Sequence, residues 1–124
     1  MNDFDQLAQR YVTTWNEKDG DRRLRLVEEL FATTASYVDP MASVQGTSAI
    51  SGLIGAVQEQ FPGYEFRPVG SVDGHHDQVR FRWGLATGEE EPVVIGFDVV
   101  QLGASGHITQ VLGFLDKVPA AAAA

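Results

Sequence analysis

The order of two hydrophobic periodicities constrains the fold of this 124-residue chain more than any other feature. The first half repeats apolar residues at steps of three and four, as amphipathic helices do, whereas the second half alternates apolar and polar residues, as half-buried strands do. Helices followed by strands that short turns connect are typical of an α+β protein. We therefore expect N-terminal helices packed on an antiparallel sheet, in a single domain that spans residues 1–119, with residues 120–124 as a disordered tail.

Capping residues, turn residues and apolar faces place the individual elements. The predicted helices are one from Asp3 to residues 18–20, one that Asp21 caps and that includes Phe31, and one that opens at Thr47 or Ser48. The predicted strands lie at residues 35–39, 64–70, 78–87, 93–102 and 107–116, with a turn at Asp73-Gly74. The run at 93–102 is apolar on both faces, which indicates a central strand.

Composition and charge exclude several classes of function. Seventeen acidic residues against nine basic ones give a net charge of −8, which disfavours binding to nucleic acid or to an anionic membrane surface. The sequence has no apolar run of about 18 residues and no basic, apolar leader, so neither a membrane span nor a secretory signal is expected. It also has no cysteine, which excludes disulfides and thiolate sites and suits a cytoplasmic location.

Asp98 is the most informative candidate for chemistry. On the predicted strand 93–102 it shares a face with Val94, Gly96 and Val100, so its carboxyl lies among apolar groups. Burial disfavours the charged form of a carboxyl, and a protonated aspartic acid can donate to a developing oxyanion. The alternative is a buried aspartate whose oxygens bond to the neighbouring backbone or to Arg80.

Asp39 and Tyr11 each allow two interpretations. Asp39 precedes Pro40, and an aspartate before proline is most often a turn residue. Its position directly after a predicted strand also allows a carboxylate in an apolar pocket, where it could act as a general base. Tyr11 lies on the apolar stripe of the first helix, so it is either a core aromatic or a hydroxyl donor in a site.

A metal or cofactor site is not expected. His75 and His76 are adjacent, and neighbouring residues of an extended chain point to opposite faces, so they do not form a chelating pair. The sequence has no phosphate-binding loop, dinucleotide fingerprint or hydrolase motif.

Four stretches resemble the ketosteroid isomerase and SnoaL-type cyclase branch of the NTF2-like superfamily. They are Arg10-Tyr11-Val12 with Trp15-Asn16, the run Ala35 to Pro40 followed by Gly46-Thr47-Ser48-Ala49-Ile50, Gly96-Phe97-Asp98-Val99-Val100 followed by Gly106-His107-Ile108, and Val111 to Leu115, at the position of the final pocket-lining strand. The resemblance covers nearly the whole chain. It implies a cystatin-like α+β fold, in which helices and a curved antiparallel sheet form a cone-like pocket for a small hydrophobic molecule. It also implies a homodimer and chemistry without cofactors.

The resemblance also implies roles for individual residues. Asp39 occupies the position of the general base, and Tyr11 and Asp98 occupy the positions that stabilise the enolate oxygen. The pocket-lining positions fall on Trp15, Phe31, Met41, Ile54, Phe81, Trp83, Val100, Phe114 and Leu115. Phe31 and Ile54 stand where steroid enzymes have supporting tyrosines, and the loop from Asp39 to Gly46 is shorter, which argues against a steroid substrate.

The sequence leaves three functions open. The first is an enzyme that moves protons on a small carbonyl compound, either an isomerase or a polyketide-cyclase-like lyase. The second is a module that binds a small ligand without reaction. The third is an assembly role, in which the sheet forms a homodimer and the pocket has no function; Arg80 and Arg82, which share one strand face, could contribute to such an interface.

Overall fold

Three helices pack on a curved sheet of six strands in the computed structural model, which describes residues 3–119. The predicted tail at residues 120–124 lies outside that range. The helices are α1 (Asp3–Asn16), α2 (Gly20–Leu30) and α3 (Thr47–Gln60). The strands are β1 (Phe31–Asp39), β2 (Ala42–Gln45), β3 (Glu65–His75), β4 (Gln78–Ala86), β5 (Val94–Leu102) and β6 (Ile108–Lys117). The α+β class is confirmed, whereas the single domain over residues 1–119 stays a prediction.

The sheet is mixed rather than fully antiparallel. Its strand order is β2-β1-β6-β5-β4-β3, and every neighbouring pair is antiparallel except β1 and β6, which run parallel. Hairpins impose the antiparallel direction only on strands that follow each other along the chain, and β1 and β6 stand at opposite ends of it. β5 lies inside the sheet between β4 and β6, which confirms the prediction of a central strand.

Several predicted boundaries are wrong for identifiable reasons. The cap of α2 is Asp19, whose side chain accepts from the backbone of Asp21 and Arg22, so the helix begins two residues earlier than expected for a cap at Asp21. Phe31 begins β1 instead of ending α2, because its large apolar side chain satisfies either periodicity. The predicted turn at Asp73-Gly74 lies within β3, and β2 was too short to be recognised.

The core lies between the inner face of the sheet and the three helices. One row crosses four strands through directly opposed residues, from Val79 on β4 to Val100 on β5, Val111 on β6 and Tyr37 on β1. All four are almost completely buried. Ile50 and Ile54 of α3 close the core from the helical side. The alternation of apolar residues in the sequence therefore selects the face on which the helices pack.

Side-chain amides fasten the helices at their ends. Asn16, the last residue of α1, donates to the carbonyl of Phe66 at 2.8 Å and accepts from its N–H at 2.7 Å, as a neighbouring strand residue would. Gln58 of α3 donates to the backbone carbonyls of Trp15 and Glu17, the residues on either side of Asn16. The Gln58 bonds satisfy carbonyls at the C-terminal end of α1, and the Asn16 bonds satisfy the backbone of a residue in β3.

β3 forms one edge of the sheet and is irregular. Its register with β4 shifts between Val69 and Asp73, and Gly70 within that stretch has a φ of 70°. Pro68, which has no backbone N–H, lies just before the shift. Within residues 3–119, no helix is long and apolar enough to cross a membrane.

We predict that Asn16→Ala lowers the free energy of unfolding by about 2–3 kcal/mol, because it leaves the N–H and carbonyl of Phe66 without partners in a partly buried place. Urea denaturation followed by circular dichroism measures the loss. Gln9→Ala changes an exposed residue of the same helix and should leave stability within about 0.5 kcal/mol of the wild type. Equal stability of the two variants would contradict the anchoring role.

Candidate functional site

Two aspartates share the inner face of the sheet with a glycine between them. Asp98 of β5 lies directly opposite Phe81 of β4 on one side and Gly113 of β6 on the other. Beyond Gly113 lies Asp39, the last residue of β1, whose Cβ would be 3.1 Å from a Cβ placed on that glycine. The structure therefore brings together two carboxyl groups that are 59 positions apart in the sequence.

Asp98 is buried, and one of its two oxygens accepts both of its side-chain hydrogen bonds. The residue is 1% exposed. Oδ2 accepts from the Tyr11 hydroxyl at 2.8 Å and from Trp83 Nε1 at 3.0 Å. Oδ1 faces Gly113, since a Cβ on that glycine would lie 2.8 Å from it. The alternative partner considered from the sequence, Arg80, pairs instead with Asp73 on the exposed surface.

Burial raises the pKa of the Asp98 carboxyl to about 6. The hydrogen bonds from Tyr11 and Trp83 favour the charged form and oppose this shift, while the negative charge of Asp39 adds to it. The pKa of Tyr11 is raised well above its ordinary value, mainly by burial and then by the charge of Asp98. Tyr11 thus remains a hydrogen-bond donor, and Asp98 is the group that changes its charge near neutral pH.

Asp39 is half-buried and held by three donors. The Tyr37 hydroxyl donates to Oδ2 at 2.6 Å, and the backbone N–H groups of Met41 and Ala42 donate to Oδ1 at 2.8 and 2.9 Å. The two backbone bonds form the turn that was predicted from the sequence Asp39-Pro40. The Asp39 carboxylate therefore belongs both to this turn and to the candidate site. Burial raises the pKa of Tyr37, and the charges of Asp98 and Asp39 raise it further, so its hydroxyl keeps its proton.

Glycines make room on both sides of Asp98. A Cβ on Gly96 would lie 2.1 Å from the indole of Trp83, so only glycine lets that ring lie across β5 and reach Asp98. Gly113 is half-exposed, and a Cβ on it would lie 2.8 Å from Asp98 Oδ1, 3.1 Å from the Cβ of Asp39 and 3.3 Å from the carbonyl oxygen of Val38. The first glycine lets a donor reach Asp98, whereas the second lets the two aspartates pack closely on either side of it.

Most of the predicted pocket-lining residues point inward, although the space they surround is small. Trp15, Phe31, Ile54, Phe81 and Val100 are buried, and Trp83 and Leu115 are half-buried against the core. The space that remains among Tyr11, Val12, Trp15, Phe66 and Trp83 is too narrow to admit a water molecule. Trp15 Nε1, buried in this aromatic cluster, has no acceptor within the described part of the chain.

Two pocket-lining predictions are wrong. Phe114 is 58% exposed, because it lies between the inward positions 113 and 115 and therefore points to the outer face. Met41 is 83% exposed, since it belongs to the turn between β1 and β2, where only its backbone N–H contacts the site.

Three residues of the site were missed from the sequence. Tyr37 lies two positions before Asp39 on the same strand, and this spacing alone would have placed both on one face. Gly96 and Gly113 became recognisable only once the strand register was known, because their neighbours come from other strands. Among residues 3–119, no group of three or more histidine, aspartate or glutamate side chains is arranged to hold a metal ion.

We predict that Asp98→Asn stabilises the protein at pH 8 and does so much less at pH 4.5. The folded-state pKa of about 6 exceeds the ordinary value of 3.8, so the folded state retains a proton that the unfolded chain loses, and stability falls as the pH rises between these values. The ionised carboxyl thus costs about 3 kcal/mol above pH 6, which the neutral amide avoids. Urea unfolding of both proteins at the two pH values measures the difference. A stability change that does not depend on pH would contradict this interpretation.

Comparison with known proteins gives one family match. The model of the SnoaL-like domain matches residues 8–111, which include all of the site except Gly113. None of the curated proteins compared matches the chain.

Several solved structures of SnoaL-like proteins are also similar to this chain, with sequence identities that differ widely. A candidate isomerase of the SnoaL-like family from Agrobacterium tumefaciens C58 is 41% identical, with a TM-score of 0.85 over 90% of this chain and 95% of the other. A SnoaL-like protein of unknown function from Burkholderia thailandensis E264 is 16% identical, with a TM-score of 0.72 over 93% and 97% of the two chains. A candidate SnoaL-like polyketide cyclase from Jannaschia sp. CCS1 is 17% identical, with a TM-score of 0.68 over 90% and 85%. The last two show the fold alone.

Proposed function

Because this chain belongs to the SnoaL-like domain family, we propose that it is a cofactor-free enzyme that transfers protons on a small hydrophobic carbonyl compound, as an isomerase or cyclase. One observation carries the proposal. A nearly fully buried Asp98, with a pKa of about 6, shares a face of the sheet with a half-buried Asp39 whose carboxylate three donors hold. Two carboxyl groups in such unlike environments can act as an acid and a base at the same pH.

Each residue then has a distinct role. The Asp39 carboxylate removes a proton from the carbon next to the carbonyl, and the protonated Asp98 donates a hydrogen bond to the carbonyl oxygen as it gains negative charge. For an isomerisation, Asp39 returns the proton to another carbon. For a cyclisation, the enolate carbon attacks a second carbonyl, whose oxygen takes the electron pair of the C=O π bond and then the proton held by Asp39. Tyr11 and Trp83 donate to Asp98 and act through it, so they are positioning residues.

We predict that the protein accelerates exchange of the α-hydrogens of a simple β,γ-enone in heavy water, followed by proton NMR. Asp39→Asn should lower the rate by about 100-fold or more, since it removes the base, and Asp98→Asn by about 10- to 100-fold, since an amide is a weaker donor. The rate should fall above pH 6 as Asp98 loses its proton.

A surface carboxylate provides the control for this experiment. Asp73 is exposed and pairs with Arg80, so Asp73→Asn should exchange at the wild-type rate. Exchange no faster than in buffer, or equal rates for wild type and Asp39→Asn, would exclude the reaction. Binding of a phenol without exchange would favour the second candidate, a ligand-binding module of the same fold.

We further propose a homodimer through the outer face of the sheet. Val38 and Leu112 are cross-strand neighbours there, as are Phe97 and Phe114, and three of the four are among the large apolar residues most exposed to solvent. A contiguous exposed apolar surface of this kind marks an interface, and the same surface can pair with itself across a two-fold axis. The lack of cysteine suits a cytoplasmic location for the dimer.

We predict that the wild type elutes as a dimer in size-exclusion chromatography with light scattering, and that Phe114→Glu elutes as a monomer because it buries a charge in the interface. Met41→Glu serves as the control, since Met41 is equally apolar and more exposed but lies outside the sheet face. A wild-type monomer at micromolar concentration would contradict the proposal.

A further inference from the structure

We propose that Tyr37 is a positioning residue that sets the lowest pH at which the site works, because its hydroxyl keeps Asp39 charged beside a neutral Asp98. This role rests on the proposed function and adds to it the dependence of the site on pH. Tyr37 acts on the reaction only through Asp39, the base to which it donates.

Tyr37 is held rigidly and reaches one oxygen of Asp39. The two residues are two positions apart on β1, so both side chains point to the inner face of the sheet. The Tyr37 side chain is buried, and its ring packs against Trp15 at 5.8 Å between centroids. Its hydroxyl donates to Oδ2 at 2.6 Å, whereas the two backbone donors both bind Oδ1. Among residues 3–119, Tyr37 is thus the only side chain that donates to this carboxylate.

The two bonds between a tyrosine and an aspartate differ in length as charged and neutral acceptors do. A hydroxyl bond to an ionised oxygen is typically about 2.5–2.7 Å long, and one to a neutral oxygen is about 2.7–2.8 Å long. Tyr37 donates to Asp39 at 2.6 Å, whereas Tyr11 donates to Asp98 at 2.8 Å. The lengths therefore agree with a charged Asp39 next to a neutral Asp98.

The helices and the edge strand next to β1 provide no cation for Asp39. Within residues 3–119, no lysine, arginine or histidine forms an ion pair with it. β2 has no titratable residue, and the only one of α3 is Glu59, which is exposed near the end of that helix. α2 ends at Leu30, so it leads into the end of β1 opposite to Asp39.

The remaining charges come from β6 and β5. On β6, Asp116 forms an ion pair with an arginine of β4, and Lys117 donates to a loop carbonyl. Asp98 of β5 packs on the other side of the same glycine as Asp39. A negative charge on Asp98 favours the neutral form of Asp39, and the bond from Tyr37 opposes that effect.

The rate of enone exchange as a function of pH tests this role. Tyr37→Phe removes one hydroxyl and keeps the ring that packs in the core. Loss of a donor to the charged carboxylate favours the neutral acid, so the fall in rate at low pH should begin about 1 pH unit higher than in the wild type. The fall at high pH, where Asp98 loses its proton, should move much less.

Tyr11→Phe is the contrasting variant, because it removes the same atom from the same type of residue. The Tyr11 bond lowers the pKa of Asp98, so its loss should move the fall at high pH upward and leave the fall at low pH in place. Tyr64→Phe is the control. Tyr64 packs against Phe61 after α3, and its variant should follow the wild-type profile on both sides.

Proton NMR of the hydroxyl groups gives a second measurement, which does not require Tyr37→Phe to fold. A hydroxyl proton in a short hydrogen bond to a carboxylate resonates downfield of the amide protons. Asp39→Asn should move the Tyr37 signal upfield, because an amide is a weaker acceptor than a carboxylate, and Asp98→Asn should leave that signal downfield.

A low-pH fall that does not move in Tyr37→Phe with a native near-ultraviolet circular dichroism spectrum would overturn the role of Tyr37. So would a Tyr37 signal that Asp39→Asn does not change. Either result would leave the proton-transfer function in place, since that function requires only Asp39 and Asp98. If the wild type exchanges the enone at no pH, the proposed function fails and the role of Tyr37 fails with it.

Discussion

The removal of the Asp98 carboxyl from water is the constraint on which the interior depends. Burial of a carboxyl costs free energy unless hydrogen-bond donors compensate for the lost water. The donors here are Tyr11 of α1 and Trp83 of β4. The Tyr11 bond fixes how α1 lies on the sheet, and the Trp83 bond requires a bare backbone at Gly96 beneath the indole. The aromatic rings that fill the core then follow from the places of these two residues, as Phe81 packs edge-on against Tyr11 at 5.0 Å.

The same constraint makes the two aspartates unlike each other. Asp98 lies deep in the sheet, whereas Asp39 lies at the end of a strand, where a turn supplies backbone N–H groups. The difference arises from position and not from residue type. The aromatic rings on the other side of Asp98 leave no space wide enough for a water molecule.

Much of the fold could be predicted because periodicity reports which face of an element is buried. It placed three helices before the long strands and put Asp98 among apolar neighbours. Periodicity failed where the pattern was ambiguous or too short. Phe31 fits the apolar pattern of a helix or of a strand equally well, and β2 has only four residues. Phe114 was assigned to the pocket by the resemblance, although its neighbour Leu115 must point to the opposite face of the strand. The neighbours of Gly96 and Gly113 lie on other strands. Contacts across strands follow from pairing, which a single sequence does not reveal.

The irregular edge strand has a consequence for how copies of this chain can associate. A regular edge offers a row of unpaired N–H and carbonyl groups on which a strand of another molecule can add. In β3 the proline lacks one of those N–H groups, and the shifted register with the left-handed glycine bends the rest out of line. Growth of the sheet from chain to chain, the route to fibrous aggregates, is therefore obstructed at this end.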